Sequence, residues 1–142
     1  MFEFKEVDVE KISEVLSSKP QIFEGSCSWQ IQNKQTNQAL VLTIYNNIEL
    51  RKGYNGSIIS VQTQHGFFEL HDCSGYIAFD PDEIIFVQAN DEYVSSLIIG
   101  RQCTCSLYSK ISRDILNSDF TELDSALLPA AMQLSLTENL LT

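Results

Sequence analysis

Apolar residues recur along this chain with two different periods. Between Asp8 and Lys19 they fall three or four apart: Val9, Ile12, Val15 and Leu16 make one stripe. That spacing predicts a helix over 8–19, capped by Asp8 and stopped before Pro20. Val7 and Ile12 stand where a hydrophobic staple would pair them. From Gly25 to about Tyr108 the period shortens to two. Cys27, Trp29 and Ile31 alternate with Ser28, Gln30 and Gln32, and Ile59, Val61 and Thr63 alternate with Ser60, Gln62 and Gln64. Further strands are predicted over 40–45, 48–52, 66–71, 76–79, 83–89 and 93–100. Turn residues separate them: Gly53-Tyr-Asn-Gly56, Asp72-Cys-Ser-Gly75, Asp80-Pro-Asp82 and Asn90-Asp-Glu92.

Short strands joined by such turns predict an antiparallel meander rather than βαβ units. Helical spacing returns near the end of the chain. Ser112 stands as a cap before Ile115 and Leu116, Thr121 and Asp124 resemble a capping box, and Pro129 opens a stripe of Met132, Leu136 and Leu140. The expected class is α+β: a large antiparallel sheet with an N-terminal helix and C-terminal helices. At 142 residues, 1–142 reads as one domain able to bury a core without disulfides.

Composition narrows the function classes. The net charge is −10, and the nine bases are scattered along the chain, so nucleic acid is not an expected partner. Five acids and no bases follow Arg113, leaving −5 for residues 1–113. No apolar run approaches the roughly 18 residues of a membrane-spanning helix, so no membrane insertion is expected. The start, Met-Phe-Glu-Phe-Lys-Glu, has neither the basic nor the apolar region of a secretory signal, and a cytoplasmic location is expected. Cys27, Cys73, Cys103 and Cys105 then read as thiols rather than a disulfide framework. The close pair Cys103 and Cys105 lacks the usual two-residue metal-binding spacing and reads as small apolar filler.

Candidate chemistry is sparse. The chain contains no nucleophile elbow, phosphate loop, dinucleotide fingerprint or zinc-protease motif, so an enzyme is not expected. His65 and His71 are the only histidines. Six residues apart on a strand they share a face but lie about 20 Å apart, too far to hold one ion together. Glu69 and Asp72 flank His71, an acid–base set in principle but one that chance also produces.

The order of features from Gly66 to Leu107 resembles the intracellular haem-utilisation carrier family of the HutX/ChuX/HemS type. That family's pattern runs Gly-His, then Asn-Cys, then Ile-x-Phe, followed by a strand, a hairpin and a strand ending in Gly-Arg-Asp. This chain has Gly66, then Asp72-Cys73, then Ile77-Ala-Phe79, then Ile84 through Gly100-Arg101. Residues 108–120 resemble the short helix that follows, and Leu42-Thr-Ile-Tyr45 with Glu49-Leu-Arg-Lys-Gly53 the preceding hairpin. The chain departs from the pattern at Phe67, Tyr45 and Gln102, where the family has histidine, histidine and aspartate.

The resemblance implies a non-catalytic haem carrier that forms a homodimer. The leucine-rich end, with Leu134, Leu136, Leu140 and Leu141, suits packing on the body or on a second subunit. Haem needs apolar walls, an axial ligand and cations for its propionates. His71 or His65 is the expected iron ligand, with Tyr45 as an oxygen alternative. Phe67, Phe68, Tyr76 and Phe79 are the expected walls of a slot, and Arg51, Lys52 and Arg101 the cations. The alternative is a haem-independent scaffold for a small ligand or a protein on the same fold.

Overall fold

The computed structural model describes residues 2–79 and 82–112. One helix, α1 (Glu6–Leu16), precedes nine strands. The first five are β1 (Gln21–Phe23), β2 (Ser26–Asn33), β3 (Gln38–Arg51), β4 (Tyr54–Thr63) and β5 (Phe67–His71). They form one antiparallel sheet in chain order. The remaining four are β6 (Gly75–Phe79), β7 (Glu83–Ala89), β8 (Tyr93–Gly100) and β9 (Cys105–Ser112), which form a second sheet, also in chain order. The protein is mostly β, with two antiparallel meanders in place of the single large sheet expected.

The division falls at Asp72-Cys73-Ser74. Asp72 takes a left-handed conformation (φ 60°), its N–H still donates to the Ser57 carbonyl, and the Ser74 N–H already donates to Val87 of the second sheet. The chain therefore changes layers within three residues. The inner faces meet in one core. Cys27, Trp29, Leu42, Ile44, Ile59 and Val61 from the first sheet pack with Ile84, Phe86, Leu97 and Ile99 from the second. Alternation explains the first set, because each of these residues has a polar neighbour on the opposite face.

Helix α1 touches β2 and β7 and so bridges the two layers. Ile12 and Leu16 enter the core, and the indole N–H of Trp29 donates to the Ser13 hydroxyl at 2.9 Å. The helix begins two residues before the expected Asp8. Asp8 works instead from inside the first turn, accepting the Lys5 backbone N–H at 2.9 Å and the Tyr76 hydroxyl at 2.6 Å. Val7 is consequently a helical residue, 66% exposed, and forms no staple. The C-terminal end comes at Leu16 because Ser17 adopts the left-handed conformation and the N–H groups of Ser17 and Ser18 satisfy the Glu14 and Ser13 carbonyls. Phe4 stacks on Tyr76 (5.6 Å between centroids) and meets Phe86 edge-on, closing the core beside the helix.

Strand β3 runs through the expected break at Asn46-Asn47 with a register irregularity, not an interruption. The Asn46 side chain amide hydrogen-bonds both the N–H and the carbonyl of Phe4, and Asn47 takes positive φ. Residues 108–112, expected to open a helix, are the end of β9, and Ser112 ends that strand. The helices expected from Ser112 onward, with the leucines 134, 136, 140 and 141, lie outside the described residues, as does most of the Asp80-Pro81 turn. Asn90 behaves as expected of a turn: its side-chain oxygen accepts the N–H groups of Glu92 and Tyr93 at 2.8 Å. No helix among the described residues is long and apolar enough to cross a membrane.

Two expectations follow from this core. Leu97→Ala should destabilise the fold by about 3 kcal/mol, read by urea unfolding through the fluorescence of the single tryptophan, Trp29. The second concerns alkaline pH. Burial pushes the thiols of Cys27 and Cys105 up to about 11 and that of Cys73 to about 12, and burial together with Asp8 raises the Tyr76 phenol. Above the ordinary thiol range the unfolded chain releases these protons while the folded chain keeps them. Stability is therefore full below that range and falls as pH rises toward the folded values. Unfolding free energy should decline from about pH 9 upward, with a shallower slope in Cys73→Ala.

Candidate functional site

The inner face of the first sheet is committed to the core, so its chemistry lies on the outer face. Register brings side chains from every strand of this sheet into cross-strand rows. Phe23 pairs with Ser26, Ser26 with Tyr45, Tyr45 with Ile58, and Ile58 with His71. A second row runs Ser28–Thr43–Ser60–Glu69, and a third runs Gln30–Val41–Gln62–Phe67. Tyr45, Phe67 and His71, distant in sequence, thus share one solvent-facing surface. Phe23 (59% exposed), Phe67 (55%) and Tyr45 (39%) rise from a floor of Val41, Thr43, Ile58 and Ser60. Tyr45 and His71 stand two strand spacings apart, about 10 Å.

His71 is not alone on this surface. Its Nε2 lies 3.3 Å from Glu69 Oε1, two residues back on the same face, and both side chains are exposed. The carboxylate orients the ring and, when Nε2 carries the proton, leaves Nδ1 as a free lone pair. At the same end of the sheet the β3–β4 hairpin turns through Gly53, whose φ of 78° suits glycine. Arg51 sits 4.5 Å over the Tyr54 ring, and the Tyr54 hydroxyl donates to both oxygens of Asp72, at 3.0 and 2.9 Å. That hydrogen bond, with the Asp72 charge, raises the Tyr54 phenol above its ordinary value. The Arg51–Tyr54–Asp72 chain ties the hairpin to the residue next to His71.

The other expected site residues lie elsewhere. His65 occupies the β4–β5 turn at the opposite end of β5, where the Thr63 hydroxyl accepts its N–H. There it borders a depression of about 200 Å³ shared with Phe68, Cys103 and Cys105. Cys103 lies in the β8–β9 turn with its thiol 3.3 Å from the Ile31 carbonyl, and both Cys103 and Cys105 pack against the core, in keeping with apolar filler. Among the described residues no group of three or more His, Cys, Asp or Glu side chains converges as a metal cage.

Arg101 is a structural tie. Its guanidinium donates to the Val15 carbonyl at 3.0–3.1 Å and to the Glu14 carbonyl at 3.4 Å, and it pairs with Asp82 at 3.3 Å. It thereby satisfies open carbonyls at the end of α1 and holds the helix to β8. The expected apolar slot is filled as well. Tyr76 stacks in the Phe4–Phe86 cluster, and Phe68 packs against the core and borders only the shallow depression beside His65, so the two do not face each other across a slot. Lys52 is exposed at the hairpin tip.

Comparisons with known protein families, with curated proteins and with solved structures find no match to this chain.

Sequence reading missed Phe23 and the floor residues, because a strand of three residues carries almost no periodicity and cross-strand register is not written locally. Arg101→Ala should lower stability by about 1–2 kcal/mol, measured by thermal unfolding, with Arg101→Lys recovering only part of the loss because a lysine cannot reproduce the fork.

Proposed function

We propose that this chain is a distant haem-carrier-type protein that holds a haem ring on the outer face of its five-stranded sheet, without performing chemistry on it. The observation that carries this reading is the single cross-strand row Phe23–Ser26–Tyr45–Ile58–His71. It combines an imidazole, a phenol and an aromatic ring on one exposed surface. The donor set fits the group: His71 is oriented by Glu69, as ligating histidines are by carboxylates, and Tyr45 offers an oxygen donor as the alternative to it. Bound haem supplies the iron and the flat apolar ring. The chain supplies the axial donor, apolar contact from Phe67, Val41 and Ile58, and a cation, Arg51, at the end of the sheet nearest His71.

The ring in this reading lies against an open face rather than in a slot, since Trp29, Leu42, Ile59, Phe86 and Leu97 fill the space between the sheets. Arg101 is spent on the helix and is not among the residues proposed to meet the propionates. His65 is likewise excluded, being at the far end of β5.

Titration with hemin should give a red-shifted Soret band saturating at one equivalent per chain. His71→Ala should weaken binding at least about tenfold, Tyr45→Phe should alter the band, and His65→Ala and Arg101→Ala should leave it as in the parent. Binding that survives both His71→Ala and Tyr45→Phe unchanged would show adsorption and overturn the reading, as would no saturable binding at all.

A further inference from the structure

A second surface lies on the other side of β1. Ile22 pairs with Cys27, so it points toward the inner, helix side of the strand, yet it is 73% exposed. Between it and α1 runs a groove made of two adjoining depressions, about 380 and 370 Å³, which share Glu6, Val9 and Ile22. Phe4, Val9, Pro20 and Ile22 give the groove an apolar lining.

The helix wall has a distinct charge. Glu6, Glu10 and Glu14 follow one another at four-residue intervals, which puts them in one row along the helix. Like charges at this spacing destabilise a helix on their own. Among the described residues no ion pair engages any of the three, and Lys5, at one end, is the one base among the described residues lining the two depressions. An exposed isoleucine over an apolar trough, beside an unneutralised carboxylate row, is complementary to a segment that carries apolar side chains on one side and lysine or arginine on the other.

We propose that the groove between α1 and β1 docks a basic amphipathic segment of a partner protein. A second copy of this chain is the poorer occupant, because a two-fold contact through the groove would bring the two glutamate rows face to face. Nucleic acid and anionic lipid are repelled by the same row. The proposal does not depend on haem; of the proposed haem row only Phe23 and Ser26, at its far end from His71, border the groove.

The test uses the whole chain and synthetic peptides of leucine and lysine, followed by fluorescence anisotropy. One peptide is arranged as an amphipathic helix, a second has the same composition scrambled so that no apolar stripe forms, and a third replaces lysine by glutamate. The amphipathic basic peptide should bind saturably at one per chain, and at least about tenfold tighter than either control. Ile22→Ser and Glu10→Lys should each weaken it about tenfold while thermal unfolding stays within a few degrees of the parent. Equal binding of the scrambled peptide would reduce the effect to net charge and overturn the proposal. So would binding indifferent to both substitutions, or self-association of the parent chain that Ile22→Ser abolishes, which would assign the groove to a second copy.

Discussion

The whole arrangement depends on two antiparallel inner faces burying each other. All four cysteines are free, and only two ion pairs occur among the described residues, both exposed. Cohesion therefore rests on the contact of Trp29, Leu42, Ile44 and Ile59 with Ile84, Phe86, Leu97 and Ile99. Facing sheets leave open sides, and α1 covers one of them. Ile12 and Leu16 supply its apolar side, while three polar contacts fix its position: Trp29 to Ser13, Tyr76 to Asp8, and Arg101 to the last turn.

That constraint divides the two sheets by role. In the first, the core takes alternate residues of β2, of β3 from Leu40 to Ile44 and of β4 at Ile59 and Val61, with Leu70 of β5, and most of their neighbours on the other face are partly or fully exposed. In the second, β7 and β8 are apolar on both sides, and Ile85, Val87, Val94 and Ile98 form a separate buried cluster on the face away from the main core. An outer surface open to a ligand is thus found on the first sheet, where the proposed haem platform lies. The Arg51–Tyr54–Asp72 contacts brace it at the end that carries Tyr45 and His71.

The two proposed surfaces stem from one short strand. Phe23 and Ile22 are neighbours on β1, and alternation sends the first to the platform and the second to the groove beside α1. Because β1 is three residues long and at the edge of its sheet, both side chains remain exposed. A strand covered on either side would have lost one of these surfaces.

The sequence by itself determined α1 and the strands from β2 to β8, but not β1 or β9. Period-two runs marked β2 and β4, turn-bounded apolar runs marked the first half of β3, β7 and β8, the Asn90 and Gly53 turns were written in their own residues, and the Val9–Leu16 stripe marked the helix. These features are local, set by alternation and by backbone preferences within a few residues. Only the tertiary structure decided that the meander splits in two at Asp72, because that turn is chosen by which layer each flanking strand can bury against. It also decided the roles of single residues. Arg101 reads as a loose cation until the end of α1 is seen beside it, and Tyr76 as a cavity wall until Phe4 is seen stacked on it. Tyr45, His71 and Phe23 come into one row only through register across five strands. Register arises from the sum of long-range pairings, so no stretch of the chain contains it.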